Sequence, residues 1–337
     1  MSKFPILFLS RSDIQPLVGM SDILTYVEEA FSLYSKSESG ANIAHFSPMV
    51  SFPTKIPNTD IDYRAGLMDP IPAACSTLGF GYWDNPVNYD MPSVFAFSYL
   101  SDVKHAKPLA FMECYYLGGM RTGAAGGVAS KYLAKKNPKS LAFIGVGSVA
   151  KYTLSAHVEL YGKINNVKAW SRTADKRNDF VNFAKETFDI NVTAVDNPKE
   201  AVENVDIVCC STPSREPIVM RDWVSPGTHI NAFGADGHGK QELDHNLIAN
   251  SKIVVDSLNQ CKIGGEIELP IKNGLITDSD VHSSLGEIIN GDKIGRENDD
   301  EVTIMDSTGL NAQDIVCCYR TYEKAIAKGV GTTLNCF

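Results

Sequence analysis

The chain has 337 residues, 44% hydrophobic and 21% charged, a composition ordinary for folded proteins and a length that favours two domains. Its 31 basic residues against 40 acidic ones leave a net charge of −9, which argues against non-specific binding to nucleic acid or an anionic membrane. No apolar run approaches the ~20 residues that span a bilayer. The start MSKFPILFLSRSD lacks the length and cleavage pattern of a secretory signal. A soluble, cytoplasmic protein is expected.

In chain order, residues 10–19 and 20–35 read as helices, the second with Ile23, Leu24, Val27, Ala30 and Phe31 on one face. Residues 36–66 are polar and interrupted by Pro48, Pro53 and Pro57, with a strand or two in HFSPMVSF. Residues 82–92, YWDNPVNYDMP, read as loop. SVFAFSYL and KPLAFMECYYL read as strands, and residues 123–136 as a helix stopped by Asn137 and Pro138. A regular alternation follows. SLAFIGVG, VKAWS, INVTAV, DIVCCST, THINAFG and KIVVDS read as strands, with helical segments between most of them. That rhythm predicts a parallel sheet covered on both faces. The stretch STGLNAQDIVCCYRTYEKAIAKG is a long amphipathic helix, expected to return to the first domain. The fold class is therefore α/β, with a Rossmann-type nucleotide-binding domain inserted ahead of the C-terminal helix.

Gly145, Gly147 and Ala150 stand in the order GxGxxA, directly after an apolar strand and before a helix. Gly145 permits the tight turn, Gly147 lets backbone approach a pyrophosphate, and Ala150 keeps the helix close to the sheet. The neighbouring Ser148 and Val149 belong to the same candidate site. The end of the second strand should meet the adenine ribose. There, Ser171, Arg172 and Thr173, with Lys176 and Arg177 beyond, suit the 2′-phosphate of NADP(H), whereas Asp175 lies a few residues late for an NAD(H) site. Ser211, Thr212 and Pro213, after the fourth strand, are candidates for the wall beside the nicotinamide ribose. The eight cysteines form no CxxC pair and the seven histidines no HExxH. Reduced, buried thiols and no metal site are expected.

Further stretches carry a family resemblance. RTGAA from Arg121, IGVGSVA, NAFGADGHGKQELD, VVDSLNQCKIGGEI, SLGEIINGDKIGR and STGLNAQDIV occur in this order over residues 60–330. Together they resemble the ornithine cyclodeaminase/μ-crystallin family. The resemblance implies a substrate-binding and dimerisation domain of residues 1–124 and 315–337, a nucleotide domain of residues 125–314, and a homodimer. It implies hydride transfer between NAD(P)(H) and a carbon bearing nitrogen, interconverting an amino acid or amine and its imine, with reductive condensation of an amine and a 2-oxo acid as one form. Ornithine-type cyclisation with loss of ammonia and a non-catalytic, μ-crystallin-like NADP-binding protein are the alternatives. Asp236 matches the family's catalytic carboxylate, Arg121 its carboxylate-binding arginine, and Thr122 follows it at the cofactor side.

The chain also departs from the family. Val149 stands where glutamine is usual, and His238 where proline is. Cyclising members are expected to carry an arginine near His45 and a lysine just after an LG dipeptide. Here Phe80 and Gly81 occupy the latter place, and no lysine occurs between Lys55 and Lys104. His45 and Arg64 are candidates to take over the missing role, and Phe80, Tyr82, Trp83 and Tyr89 to line a larger aromatic pocket.

Overall fold

The computed structural model describes residues 4–48 and 50–336. The chain divides into two compact units, Met1–Arg121 with Asn311–Phe337, and Thr122–Leu310. The second is thus inserted ahead of the C-terminal helix, and the fold is α/β.

The first unit is built on an eight-stranded, mostly antiparallel sheet. Its order is Thr332–Asn335, Pro5–Leu9, Pro108–Glu113, Val94–Asp102, Ala73–Tyr82, Thr59–Met68 and Ala44–Phe46, with Val50–Pro53 also paired to 59–68. The helices Met20–Glu38 and Asn311–Lys328 pack against one another, and the latter also against strands 59–68 and 73–82. Period-2 alternation divides the side chains between two faces. On 73–82, Ala73, Cys75 and Thr77 are buried, while Phe80 is exposed. The opposite face stays open and carries Phe80, Phe95, Tyr99 and Phe111, each 36–43% exposed. Phe97 and Phe111 stack there at 5.1 Å.

Two elements depart from the expectation. The ten-residue strand 59–68 lies in the stretch read as polar and broken. Asp60, Asp62 and Arg64 alternate with Ile61, Tyr63 and Ala65, so charge on one face of the strand hides its apolar partners. The helix Tyr115–Leu133 begins well before residue 123 and cuts short the strand expected through 117. Both oxygens of Glu113 accept the Tyr116 N–H, at 3.1 and 3.2 Å, and so cap its first turn. Tyr82 still belongs to the strand, and residues 83–92 are loop with one helical turn, Asn85–Asn88.

The second unit is an eight-stranded sheet, parallel throughout. Its order is Val192–Ala194, Asn166–Trp170, Ser140–Ile144, Ile207–Cys210, His229–Ala232, Thr303–Asp306, Lys252–Val255 and Val281–Ser284. The first strand of the alternation thus lies beside the fourth, and the chain turns in opposite directions on either side. Such a reversal opens a crevice at the carboxyl ends of the two strands, where ligands bind in doubly wound sheets. One core holds Phe143, Leu154 and Phe180, and another Ile230, Val255 and Ile304. Seven of the eight cysteines are buried, and Cys336 is exposed. No helix among the described residues is long and apolar enough to cross a membrane.

Phe143 is fully buried, its ring centroid 5.0 Å from that of Phe180. Replacing it with alanine should destabilise this unit by about 3–5 kcal/mol, read as a lowered midpoint of urea unfolding.

Candidate active site

The glycine turn stands at the carboxyl end of strand 140–144. Gly145 has φ +89°, and a Cβ there would lie 2.8 Å from the Ser211 carbonyl oxygen. The Gly145 N–H donates to the Trp170 carbonyl at 3.0 Å and the Ser211 N–H to that of Ile144 at 2.8 Å, binding three strand ends into one rim. Gly147 is exposed, and a Cβ there would meet nothing within 4 Å. It precedes the helix Ser148–Tyr161, whose first turn has no side-chain cap. Open space before uncapped N–H groups fits a pyrophosphate. Ser148 is exposed, Val149 half-buried, and Ala150 buried against the sheet.

At the end of strand 166–170, Ser171 is half-buried, and Arg172 and Thr173 are exposed. Thr173 stands at the N-cap of the helix Ala174–Phe188 without a side-chain cap bond, its carbonyl accepting the Arg177 N–H at 3.3 Å. Arg177, by contrast, is engaged. It donates to the Ser171 carbonyl at 2.6 Å and pairs with Asp196. Asp175 is exposed in the first helical turn. Ser211 and Thr212 are half-buried beside the turn, and Pro213 is exposed.

Asp236 lies just beyond strand 229–232, exposed at the carboxyl edge of the same sheet, and pairs with Lys240 four residues on. Its loop is anchored from below by Glu242. The Thr212 N–H donates to one Glu242 oxygen at 2.6 Å, and the Gly234 N–H to the other at 2.8 Å. One buried carboxylate therefore joins the loop after strand 207–210 to the end of strand 229–232. A side chain at Gly234 would collide with the Thr212 carbonyl and with Glu242. Burial pushes the Glu242 carboxyl up to about 7. Glu266 accepts from the N–H groups of Glu242 and Leu243, at 2.8 and 3.1 Å, and fixes that segment in turn.

In the first unit, Asp314 projects from helix 311–328 toward strand 59–68 and receives two arginines. Arg121 Nε donates to Asp314 Oδ1 at 3.1 Å, and Arg64 Nε stands 3.0 Å from Oδ2. Arg121 Nη1 donates to Gln313 Oε1 at 3.0 Å. Burial works against the Arg121 charge, but the Asp314 carboxylate, with Cys114 and Cys317, carries its pKa above the ordinary value. Arg64 faces Thr77 across the sheet, and Thr77 shares a 2.8 Å hydrogen bond with Ser98.

A model of the ornithine cyclodeaminase/mu-crystallin family matches residues 6–329. The chain belongs to this family. It is 39% identical over 335 residues to an alanine dehydrogenase of Archaeoglobus fulgidus, covering 98% of each chain. Among solved structures it resembles an archaeal alanine dehydrogenase dimer with bound NAD, at TM-score 0.90 and 38% identity, covering 99% of this chain and 100% of that one. It also resembles the Delta(1)-pyrroline-2-carboxylate reductase of Thermococcus litoralis in complex with NADH and L-proline, at TM-score 0.91 and 34% identity, covering 98% and 100%.

The structure places several of these candidate residues apart from the two arginines. His45 pairs in register with Leu67 and is exposed on the face opposite Arg64, so it does not join the Arg64–Asp314–Arg121 cluster. Phe80 lies on that same outer face, because it is three residues from Thr77 and the strand alternates. Tyr82 ends that strand, and Trp83 and Tyr89 lie in the loop beyond it. Trp83 and Tyr89 are 54% and 61% exposed, and Tyr89 rests against Tyr82. Sequence reasoning also missed Asp314, Asn311 and Glu242. The first two carried a signal, as polar residues on the apolar face of an amphipathic helix. Glu242 had only its place between Gln241 and Leu243 in the family motif.

Two outcomes test this geometry. Gly145→Ala should weaken nicotinamide-cofactor binding roughly ten- to hundred-fold, read by fluorescence titration, because alanine is strained at that φ. A raised carboxyl pKa favours the folded state below the unfolded value near 4.5, and that stabilisation fades as pH rises through about 7. The thermal midpoint of Glu242→Gln, taken relative to the parent chain, should therefore rise between pH 5 and pH 8.

Proposed function

We propose that the protein is an NAD(P)(H)-dependent oxidoreductase that interconverts an amino acid and its imine. The observation that carries this reading is Asp236. It stands exposed at the carboxyl edge of the very sheet whose edge holds the glycine turn, with Lys240 paired to it. Gly145, Gly147 and Ser148 would hold the pyrophosphate, with Thr122, Val149, Ser211, Thr212 and Pro213 around the rest of the cofactor. When bound, the nicotinamide supplies or accepts the hydride.

The Asp236 carboxylate would take a proton from the substrate ammonium. The freed nitrogen lone pair then forms the C=N bond as hydride leaves the carbon. In the reductive direction Asp236 returns the proton as the amine forms. Lys240 pairs with this carboxylate. Arg121, fixed by Asp314 and Gln313, would grip the α-carboxylate through its remaining guanidinium edge. Arginine does not give up its proton, so Arg64 and Arg121 bind and orient without relaying protons. Such a set suits one hydride step better than a cyclodeamination, which needs several proton transfers.

NADP(H) is the preferred cofactor in this reading. No acidic side chain occurs among residues 171–173, and exposed Arg172 makes no ion pair or hydrogen bond among the described residues. The open aromatic face of the first unit, with Phe95 and Phe111, is the surface through which a homodimer would form.

Three measurements check these statements. Asp236→Asn should remove turnover with amino acids or imines while sparing cofactor affinity; undiminished turnover would sink the assigned role, and cofactor binding with no parent turnover across the panel would favour a binding protein. Arg172→Asp should weaken NADPH about ten-fold or more with little effect on NADH. Phe95→Asp with Phe111→Asp should convert a dimer to a monomer by light scattering.

A further inference from the structure

The loop that carries Asp236 reads GADGHGK over residues 234–240. Backbone so rich in glycine is costly to order, so whatever fixes it decides where the Asp236 carboxylate points. Glu242 holds the inner end through the Gly234 N–H. A different acid holds the outer end. Glu268, in the short helix Glu268–Lys272, is fully buried. Its Oε2 accepts the Gly239 N–H at 2.9 Å, and its Oε1 is paired with His238 Nδ1. Lys272 Nζ, one turn on, donates to the same Oε1 at 2.6 Å.

Further contacts seat this outer end. Gly239 takes φ +72°, and a Cβ there would lie 3.1 Å from Arg215 Nη1. Arg215 Nη1 donates to the His238 carbonyl at 3.1 Å, and the Gln241 N–H donates to the Ser214 carbonyl at 2.9 Å. The loop after strand 207–210 is thus stitched to the Asp236 loop. A Cβ at Gly264 would lie 3.0 Å from Gly237 Cα, so the end of helix Leu258–Gly264 supports the middle of the loop. The Lys240 N–H donates to the Gly237 carbonyl at 3.1 Å and closes the turn that Asp236 and Lys240 bridge.

The exposed contacts do not fix this turn alone. The Asp236–Lys240 pair is a surface ion pair, of a kind that contributes little to stability. His238 has 73% of its side chain exposed, and Arg215 is exposed as well. Glu268 differs, because a carboxylate out of water is compensated only while its donors stay in place. Burial works against its charge, but Lys272, the Gly239 N–H and His238 hold the carboxyl below its ordinary value. Lys272 belongs to the acid's own helix. The other two donors lie in the loop, two and three residues from Asp236. The buried acid therefore ties down the loop.

We propose that Glu268 is a positioning residue for Asp236. By holding Gly239 and His238 it sets the turn on which the Asp236 carboxylate is presented to the substrate nitrogen. This rests on the reading of the chain as an oxidoreductase in which Asp236 exchanges the substrate's proton. Glu268 acts through the loop, and Gly145 and Gly147 make none of these contacts. Its loss should therefore slow the reaction while sparing the cofactor, since small misplacements of a reacting group cost rate.

The test compares Glu268→Ala, Glu268→Gln, His238→Ala and Lys272→Ala in the full chain. Turnover is followed by nicotinamide absorbance with a panel of L-amino acids and with Delta(1)-pyrroline-2-carboxylate. Cofactor affinity is read by fluorescence titration, and backbone exchange over residues 234–242 by deuterium uptake. Glu268→Ala should lower kcat roughly ten- to hundred-fold with little change in cofactor Kd. Exchange over 234–242 should quicken roughly ten-fold. Glu268→Gln keeps an acceptor for the Gly239 N–H and should recover much of the loss. His238→Ala should fall between the two. It leaves the buried acid in place, so it reads the loop even where Glu268→Ala fails to fold. Lys272→Ala removes a partner on the acid's own helix and should stay near the parent.

Parent-like kcat in Glu268→Ala and His238→Ala overturns the proposal, as does parent-like exchange over 234–242. So does a loss of kcat that Lys272→Ala shares equally and that cofactor affinity follows, which would mark a general loss of structure. A parent chain that turns over nothing across the panel overturns the oxidoreductase reading. The exchange comparison then decides by itself whether Glu268 holds the Asp236 loop.

Discussion

A carboxylate taken out of water must find donors within the fold, and in each unit one such group decides where the chemistry-bearing side chains stand. Glu242 does this in the nucleotide unit. Its two oxygens hold the N–H groups of Thr212 and Gly234, so the loop beside the glycine turn and the strand end leading to Asp236 cannot shift independently. Asp314 does it in the other unit, where Arg64 and Arg121 are oriented through Nε. The arrangement explains why small residues recur beside these acids. Gly234 and Gly66 have no room for a side chain where the carboxylate or its neighbour approaches.

The acids also set the character of the chemistry. Arginines held on a buried carboxylate are suited to recognition rather than to proton transfer. Asp236 stands exposed, and its loop is held by a second, deeper acid. In the proposed function, permanent cations and the acid–base carboxylate are separate groups, so one scaffold could take different substrate side chains beside a common hydride step. The family relatives, an alanine dehydrogenase and a Delta(1)-pyrroline-2-carboxylate reductase, are consistent with such variation.

Much of the nucleotide unit was legible in the sequence. Its strands are apolar runs buried on both faces, its helices alternate with them at regular spacing, and Gly145, Gly147 and Ala150 sit where turn, close approach and packing require small residues. The first unit was less legible. Strand 59–68 carries Asp60, Asp62 and Arg64 on its helix-facing side, and that polarity reads as loop. The same polarity is what a polar ligand would use. The start of helix 115–133 was hidden for a related reason, because its cap comes from Glu113, the last residue of the preceding strand.

The sequence by itself determined the inserted parallel sheet, the glycine turn and the family, since these rest on local periodicity and on residue types at fixed spacing. It also determined that no lysine stands in the stretch from Ile56 to Val103. Only the tertiary structure decided which charged groups meet. Phe80 and His45 are near the expected place along the chain, yet strand alternation turns both to the outer face. Asp314 lies 193 positions from Arg121 and meets it through packing of the last helix on the sheet. Side-chain direction follows from register, and register from pairing between distant segments, so no reading of neighbours along the chain could have fixed it.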